Sequence, residues 1–307
     1  SRIFLGFILK QEIKLNFNLG DIFAVLTAFC WSSAVILFEL SGKSLTSLQI
    51  SLIKNIIGVI GFTITIILMD ISFLDFTKSE IATLIISGML GVAIGDLFFL
   101  KSLSIVGSGV SAILATIYVP SIFLIANLFF GEEITGKAIV GGALICFAIF
   151  IGVYKKQELK KSKLFVKAVT LGILAQVFTA ISVLMVKPIM GNHNVVSIAL
   201  IRFGTGLFIT LIYIYCTQGW SIIRKTFNDV FSNCYVISGS LLGTYLSVIF
   251  WLSGFKYTLA SRAAIYNELS TIMIIILASI FLKESMTKQK WIAIIFAVSG
   301  GLIVGIK

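Results

Sequence analysis

Four ionisable side chains lie inside long apolar stretches of this 307-residue sequence: Lys54, Asp96, Arg202 and Glu268. An ion placed in hydrocarbon costs about 3 kcal/mol on insertion scales, so each calls for a partner or a task. Glu268, beside Asn267 and Tyr266, has the chemistry to hold a cationic group of a solute or to carry a coupling proton. Its competing reading is an ion pair with Arg262 or Lys256 near the same helix end. Asp96 is read either as a binding carboxylate or as a partner that Lys101 reaches by bending back. Lys54 and Arg202 are read either as anion-binding groups or as long side chains snorkelling to an interface. As anion ligands they differ: Arg holds a carboxylate or phosphate through two parallel bonds, while Lys is a point charge. Trp31, Tyr118, Tyr245 and Trp251 offer aromatic walls for a cavity; packing is the plainer reading of each. Glu39 and Asp21, at the ends of apolar runs, are read as interfacial.

Other chemistries find little support. A single histidine, His193, and the lack of any CxxC pair argue against a metal centre. Cys30, Cys146, Cys216 and Cys234 read as small hydrophobes. No HExxH or GxSxG is present, and Gly95-Asp96 matches only the end of a GxGD protease signature, with Ala93 in the first glycine position. Gly42-Lys43-Ser44 would end a phosphate-binding loop, but Leu37 stands where its first glycine should be. No cofactor and no enzymatic activity are expected. A net charge of +11 would suggest nucleic acid in a soluble chain. Here the basic residues fall in short segments between apolar runs, where they set topology or meet lipid headgroups.

The elements that must position these groups are membrane helices. The chain is 58% apolar and 12% charged, against roughly half and a quarter in soluble domains, and its mean hydropathy is +1.09. Ten apolar runs, near 20–40, 47–69, 81–100, 107–130, 137–154, 167–186, 195–216, 234–255, 261–282 and 289–306, are long enough to cross a bilayer. Backbone in hydrocarbon must satisfy its own hydrogen bonds, so each run is a predicted helix. Residues 1–19 form a juxtamembrane segment, in which the apolar stretch 3–9 is too short to span. The longest connections are 155–166 and 217–233.

The basic linker 155–166 divides two copies of one pattern, a first unit at 20–154 and a second at 167–307. Glu132 in FFGEEIT and Glu284 in FLKESMT are 152 residues apart, as are Gly91 and Gly243, Ser87 and Gly239, and Thr27-Ala28 and Thr179-Ala180. SLIK (51–54) and ALIR (199–202) match at 148, which sets Lys54 opposite Arg202. Thr116 falls opposite Glu268. Gly91 and Gly243 sit in small-xxx-small patterns that allow close helix approach. An odd number of helices per unit makes the second copy enter from the opposite side. The fold class expected is therefore all-α and integral to the membrane, ten transmembrane helices as an inverted repeat of two five-helix units.

The segment 111–154 carries Pro120 in its fourth helix, then Gly131, Glu132 and Thr135 at a turn, then Gly141. With these residues the chain resembles the drug/metabolite transporter superfamily, specifically proteins with two EamA domains. The second copy keeps Glu284 and Thr287 but has Lys283 for the glycine and Ile272 for the proline. The resemblance implies that the fourth and ninth helices line a central cavity, and that members carry amino acids, nucleotide sugars, vitamins, drugs or lipid-linked sugars. Pro120 removes a backbone donor and is read as a hinge or as a packing kink. Glu132 and Glu284 are read as caps of the turns that follow.

Together these readings lead to a secondary transporter of a small metabolite working by alternating access. The solute expected is an amino acid or similar polar or amphipathic molecule, with export as one direction open to it. Its partners would be that solute, a coupling proton or exchanged solute, and the lipid bilayer, not nucleic acid. The place expected is the plasma or inner membrane. A non-transporting membrane subunit is the alternative, with an intramembrane enzyme behind it. The basic linker favours a cytoplasmic position for its own face, whereas the resemblance implies cytoplasmic termini, on the opposite face.

Overall fold

The computed structural model describes residues 18–72, 75–130, 136–153, 163–230, 233–283, 285 and 287–305. Among them, every regular element is helical. The helices are α1 (Leu19–Ser41), α2 (Ser47–Leu68), α3 (Lys78–Ser87), α4 (Asp96–Ala115), α5 (Tyr118–Phe130), α6 (Gly136–Val153) and α7 (Lys163–Met190). They continue with α8 (Val195–Gln218), α9 (Trp220–Val230), α10 (Cys234–Ser240), α11 (Ser247–Tyr257), α12 (Ala260–Asn267), α13 (Leu269–Phe281) and α14 (Lys288–Gly305). Among the described residues, six stretches are long and apolar enough to cross a membrane: Leu19–Ser41, Ser47–Leu68, Lys78–Ala115, Lys163–Met190, Val195–Gln218 and Cys234–Tyr257.

Local sequence explains where the helices start. Asn18, Thr46 and Thr77 each accept from a backbone amide three residues on, while Asp21, Gln49 and Glu80 reach back to the cap's own amide. These reciprocal bonds satisfy donors that the first turn leaves open. Asp21 is accordingly buried within the box, not spread on the interface.

Three features of one half recur in the other at the 152-residue spacing. Wide π-helical turns occupy Gly88–Gly95 between α3 and α4, and Leu241–Leu246 between α10 and α11. Gly107, at φ +79°, breaks the helical path inside α4; its counterpart position, Leu259, lies in the gap between α11 and α12. The third feature is a pair of mid-helix interruptions, one after Ala115, at 116–117, and one at Glu268. The expected helices at 107–130 and 261–282 are thus each made of two pieces.

Packing exchanges partners between the halves. Helix α1 packs on α10–α13, and α7 packs on α3–α5, so each unit's first helix lies against the other unit's third. Glycines permit it: a Cβ at Gly91 would sit 2.3 Å from Ser182 Oγ, and one at Gly243 would sit 2.4 Å from Ala34 Cβ. Helices α2 and α8 meet between the two groups, and α6 pairs with α14. The outer surface shows apolar stripes such as Ile60-Ile64-Ile67 and Leu124-Leu128, which lipid accepts and water does not.

Two expectations about connections change. Most of 217–233 is helix α9, whose Ile223 and Thr226 are buried at the feet of α2 and α8 while Trp220 and Phe227 stay exposed. The linker 155–166 is shortened by α7, which begins at Lys163. Gly131, Glu132, Thr135 and Glu284 lie outside the described residues.

Candidate functional site

Both mid-helix interruptions open onto one cavity at the centre of the helices. It holds about 1030 Å³ of space unoccupied by protein atoms, its open mouth included. Of the residues singled out by sequence, Trp31, Lys54, Asp96, Tyr118, Arg202, Trp251, Asn267 and Glu268 line it.

Arg202, on α8, is only 2% exposed. One of its terminal nitrogens, Nη2, donates to Ser182 Oγ at 2.7 Å, while Nε and Nη1 have no hydrogen-bond partner. The guanidinium carbon lies 5.5 Å from the ring centre of Trp251. Ser182 is itself held: it donates to Ser87 O at 3.0 Å, and Ser87 Oγ donates to Ser182 O at 2.8 Å. Snorkelling to an interface is therefore not what Arg202 does.

Lys54 is buried as well and differs from its symmetry mate. Its ammonium donates to Asp96 Oδ2 at 2.5 Å and to Asn55 Oδ1 at 3.1 Å, and lies 5.2 Å from the Phe203 ring centre. Asp96 thus takes its partner from α2, not from Lys101. Lys54 is neutralised locally, while Arg202 keeps two donors open.

Glu268, at the start of α13, lines the same cavity and is 8% exposed. Its Oε2 accepts from Thr271 Oγ1 at 3.3 Å. The alternative pairing with Lys256 is not formed, since that ammonium donates to His193 O at 2.9 Å; the Arg262 side chain is outside the described residues. Asn267 Oδ1 beside Glu268 is a buried acceptor without a partner. Arg202 with its unpaired donors, and Glu268 beside the unpaired Asn267 Oδ1, thus line one cavity together with Trp31, Phe99, Tyr118 and Trp251.

Four sequence candidates are not among the lining residues. Tyr245 points its hydroxyl at Thr65 Oγ1, 2.5 Å away, and its ring against Phe62. Thr116 is buried and donates to Ile113 O at 2.8 Å. Pro120 sits in the first turn of α5, where a missing amide costs little. Tyr266 is half-buried beside the interruption. Sequence reasoning missed Gln176, Thr179, Ser270 and Thr271. The repeat held a signal for one of them, because Thr27 and Thr179 are mates at 152 and both line the cavity.

The model of the EamA-like transporter family matches residues 18–154 and again 166–306. The chain belongs to the EamA-like transporter family. It is a multi-pass integral membrane protein with two EamA repeats. Among curated proteins, "Uncharacterized transporter YyaM" of Bacillus subtilis (strain 168) is 30% identical over 128 residues. That alignment spans 42% of this EamA chain and 41% of the relative. A solved structure described only as "Crystal structure of protein" shares the fold, with a TM-score of 0.66 and 12% identity, over 91% of this chain and 95% of its own.

Proposed function

We propose that this EamA protein is a secondary transporter that moves a small zwitterionic solute, such as an amino acid, through the central cavity by alternating access. The reading takes the ten apolar runs as ten spans and the two EamA repeats as inverted copies, which would make the two end states similar in energy. The observation that carries it is Arg202. A buried guanidinium whose Nε and Nη1 are unused is costly unless an anion completes it, and a carboxylate can make paired bonds to one of these nitrogens and the second hydrogen of Nη2. Glu268 and the open Asn267 Oδ1 suit the ammonium at the solute's other end, and the aromatic residues lining the same cavity suit an apolar side chain. No bound nucleotide is needed: the driving force is the solute gradient, an exchanged solute, or a proton carried by Glu268.

Thermal unfolding of the purified protein tests this with a panel of amino acids, nucleotide sugars and organic amines. A ligand that binds only the folded state stabilises it by about 2.7 kcal/mol at a hundred times its Kd. Amino acids should raise the midpoint of the wild type and lose that effect in Arg202→Gln and Glu268→Gln. Stabilisation by amines alone, or equal stabilisation of Arg202→Gln, would overturn the assignment.

A further inference from the structure

Glu39 ties helices together at one end of the helical assembly and Lys187 does so at the other, and the two are mates in the repeat. Glu39 and Lys187 are 148 residues apart, the same offset that relates Lys54 to Arg202 and the helix cap Thr46 to the cap Asn194. Glu39, in the last turn of α1, accepts from the backbone amide of Ser108 at 2.6 Å. Ser108 follows Gly107 and opens the helical stretch leading to the interruption at 116–117. Lys187, in the last turn of α7, donates to Phe255 O at 2.9 Å and to Thr258 O at 3.2 Å, the carbonyls that close α11.

The charges suit what they hold. An anion sits at the start of a helix, where amides point outward, and a cation sits at the end of one, where carbonyls do. Each contact also bridges the two packing groups: α1 to α4 in one case, α7 to α11 in the other. They stand at opposite ends of the assembly. The start of α1 meets the second contact, because Thr258 Oγ1 donates to Asp21 Oδ1 at 3.4 Å. Glu39 is 18 residues further along the same helix, about 27 Å away at 1.5 Å per residue. Lys256 adds a bond at the Lys187 end by donating to His193 O at 2.9 Å.

We infer that Glu39 and Lys187 are paired latches, one at each end of the helical assembly, and that parting the two packing groups wide enough to pass a solute at either end requires breaking that end's latch while the other holds. The inference rests on the alternating-access reading. Releasing the Glu39 contact lets the α1 and α4 groups part at that end; releasing the Lys187 contact does the same at the other. Mated latches of similar strength would keep both end states populated.

The test is two-sided labelling of a cavity cysteine. Thr179→Cys is placed in a full chain with Cys30, Cys146, Cys216 and Cys234 replaced, and a membrane-impermeant maleimide is applied to right-side-out and inside-out membrane vesicles. Glu39→Gln should shift the ratio of the two labelling rates by about tenfold, the weight of one hydrogen bond to a charged group. Lys187→Met should shift it in the opposite direction, and the double variant should fall between them. Ser108→Pro removes the donated amide but keeps Glu39. Gly107, at ψ 169°, suits a following proline, and proline is accepted at a helix start. This variant should act as Glu39→Gln does, and it decides the matter if Glu39→Gln fails to accumulate. Labelling from both sides with an unmoved ratio, or shifts in the same direction, would overturn the latches while the transport reading stands. Labelling from one vesicle type alone, in the wild type and every variant, would overturn both.

Discussion

Replacing Gly91 by alanine probes the packing that holds Arg202 inside the protein. The new Cβ would lie 2.3 Å from Ser182 Oγ, 2.8 Å from Ser182 Cβ and 3.4 Å from Arg202 Nη2. Ser182 has no room to yield without giving up its bonds to Ser87 and to the guanidinium. Overpacking costs about 1–3 kcal/mol, and a hydrogen bond to a charged group contributes about 1.5–3 kcal/mol. The variant should therefore lose about 3–5 kcal/mol. Gly204, on the same helix as Arg202, is the control: beyond its chain neighbours and its own helix backbone, no atom lies within 4 Å of its Cβ position, and Gly204→Ala should gain up to about 1 kcal/mol from helix propensity. Thermal unfolding in mild detergent, followed by tryptophan fluorescence, ranks the variants. Ser182→Gly removes the group that Gly91→Ala strikes, so the two penalties should combine to much less than their sum. Equal midpoints for Gly91→Ala and Gly204→Ala, or additive penalties, would refute this reasoning.

The ion pair of buried Lys54 and half-buried Asp96 should behave as a unit. Lys54→Met or Asp96→Asn alone leaves a charge unmatched and should cost about 3 kcal/mol, whereas the double variant should recover much of that loss in the same assay. Pro120→Ala should leave the fold intact at a cost of about 0.4–1 kcal/mol, because a first-turn proline acts mainly by restricting the unfolded chain; a loss above about 3 kcal/mol would place it in a helix interior instead.

Much of the helical plan was legible because apolar length alone decides what crosses a bilayer. The interruptions were not. Hydropathy is blind to a break at Glu268, which has no adjacent proline or glycine, and Pro120 marks the helix but lies beyond the break at 116–117. Gly91 and Gly243 signalled close approach correctly, yet nothing in their spacing reveals the π turns that contain them. Helix α9 escaped because its exposed Arg224 and Lys225 interrupt its apolar residues, so it reads as a connection. At the site, residue type identified the four membrane-embedded charges, and the repeat matched Lys54 to Arg202. Only folding distinguishes the mates: Lys54 meets Asp96, 42 positions away in sequence, while Arg202 finds a serine and keeps two donors open. Such partnerships depend on how helices pack, which local spacing does not encode.

The measurement that bears most directly on transport is counterflow in proteoliposomes: vesicles loaded with unlabelled amino acids, one class at a time, and a trace of the labelled counterpart outside. The wild type should concentrate the label transiently for at least one class. Arg202→Gln, reconstituted to the same density, should lose that accumulation. Accumulation that persists in Arg202→Gln, or its absence for every amino acid in the wild type, would contradict the assignment of the cavity as a carboxylate-binding transport site.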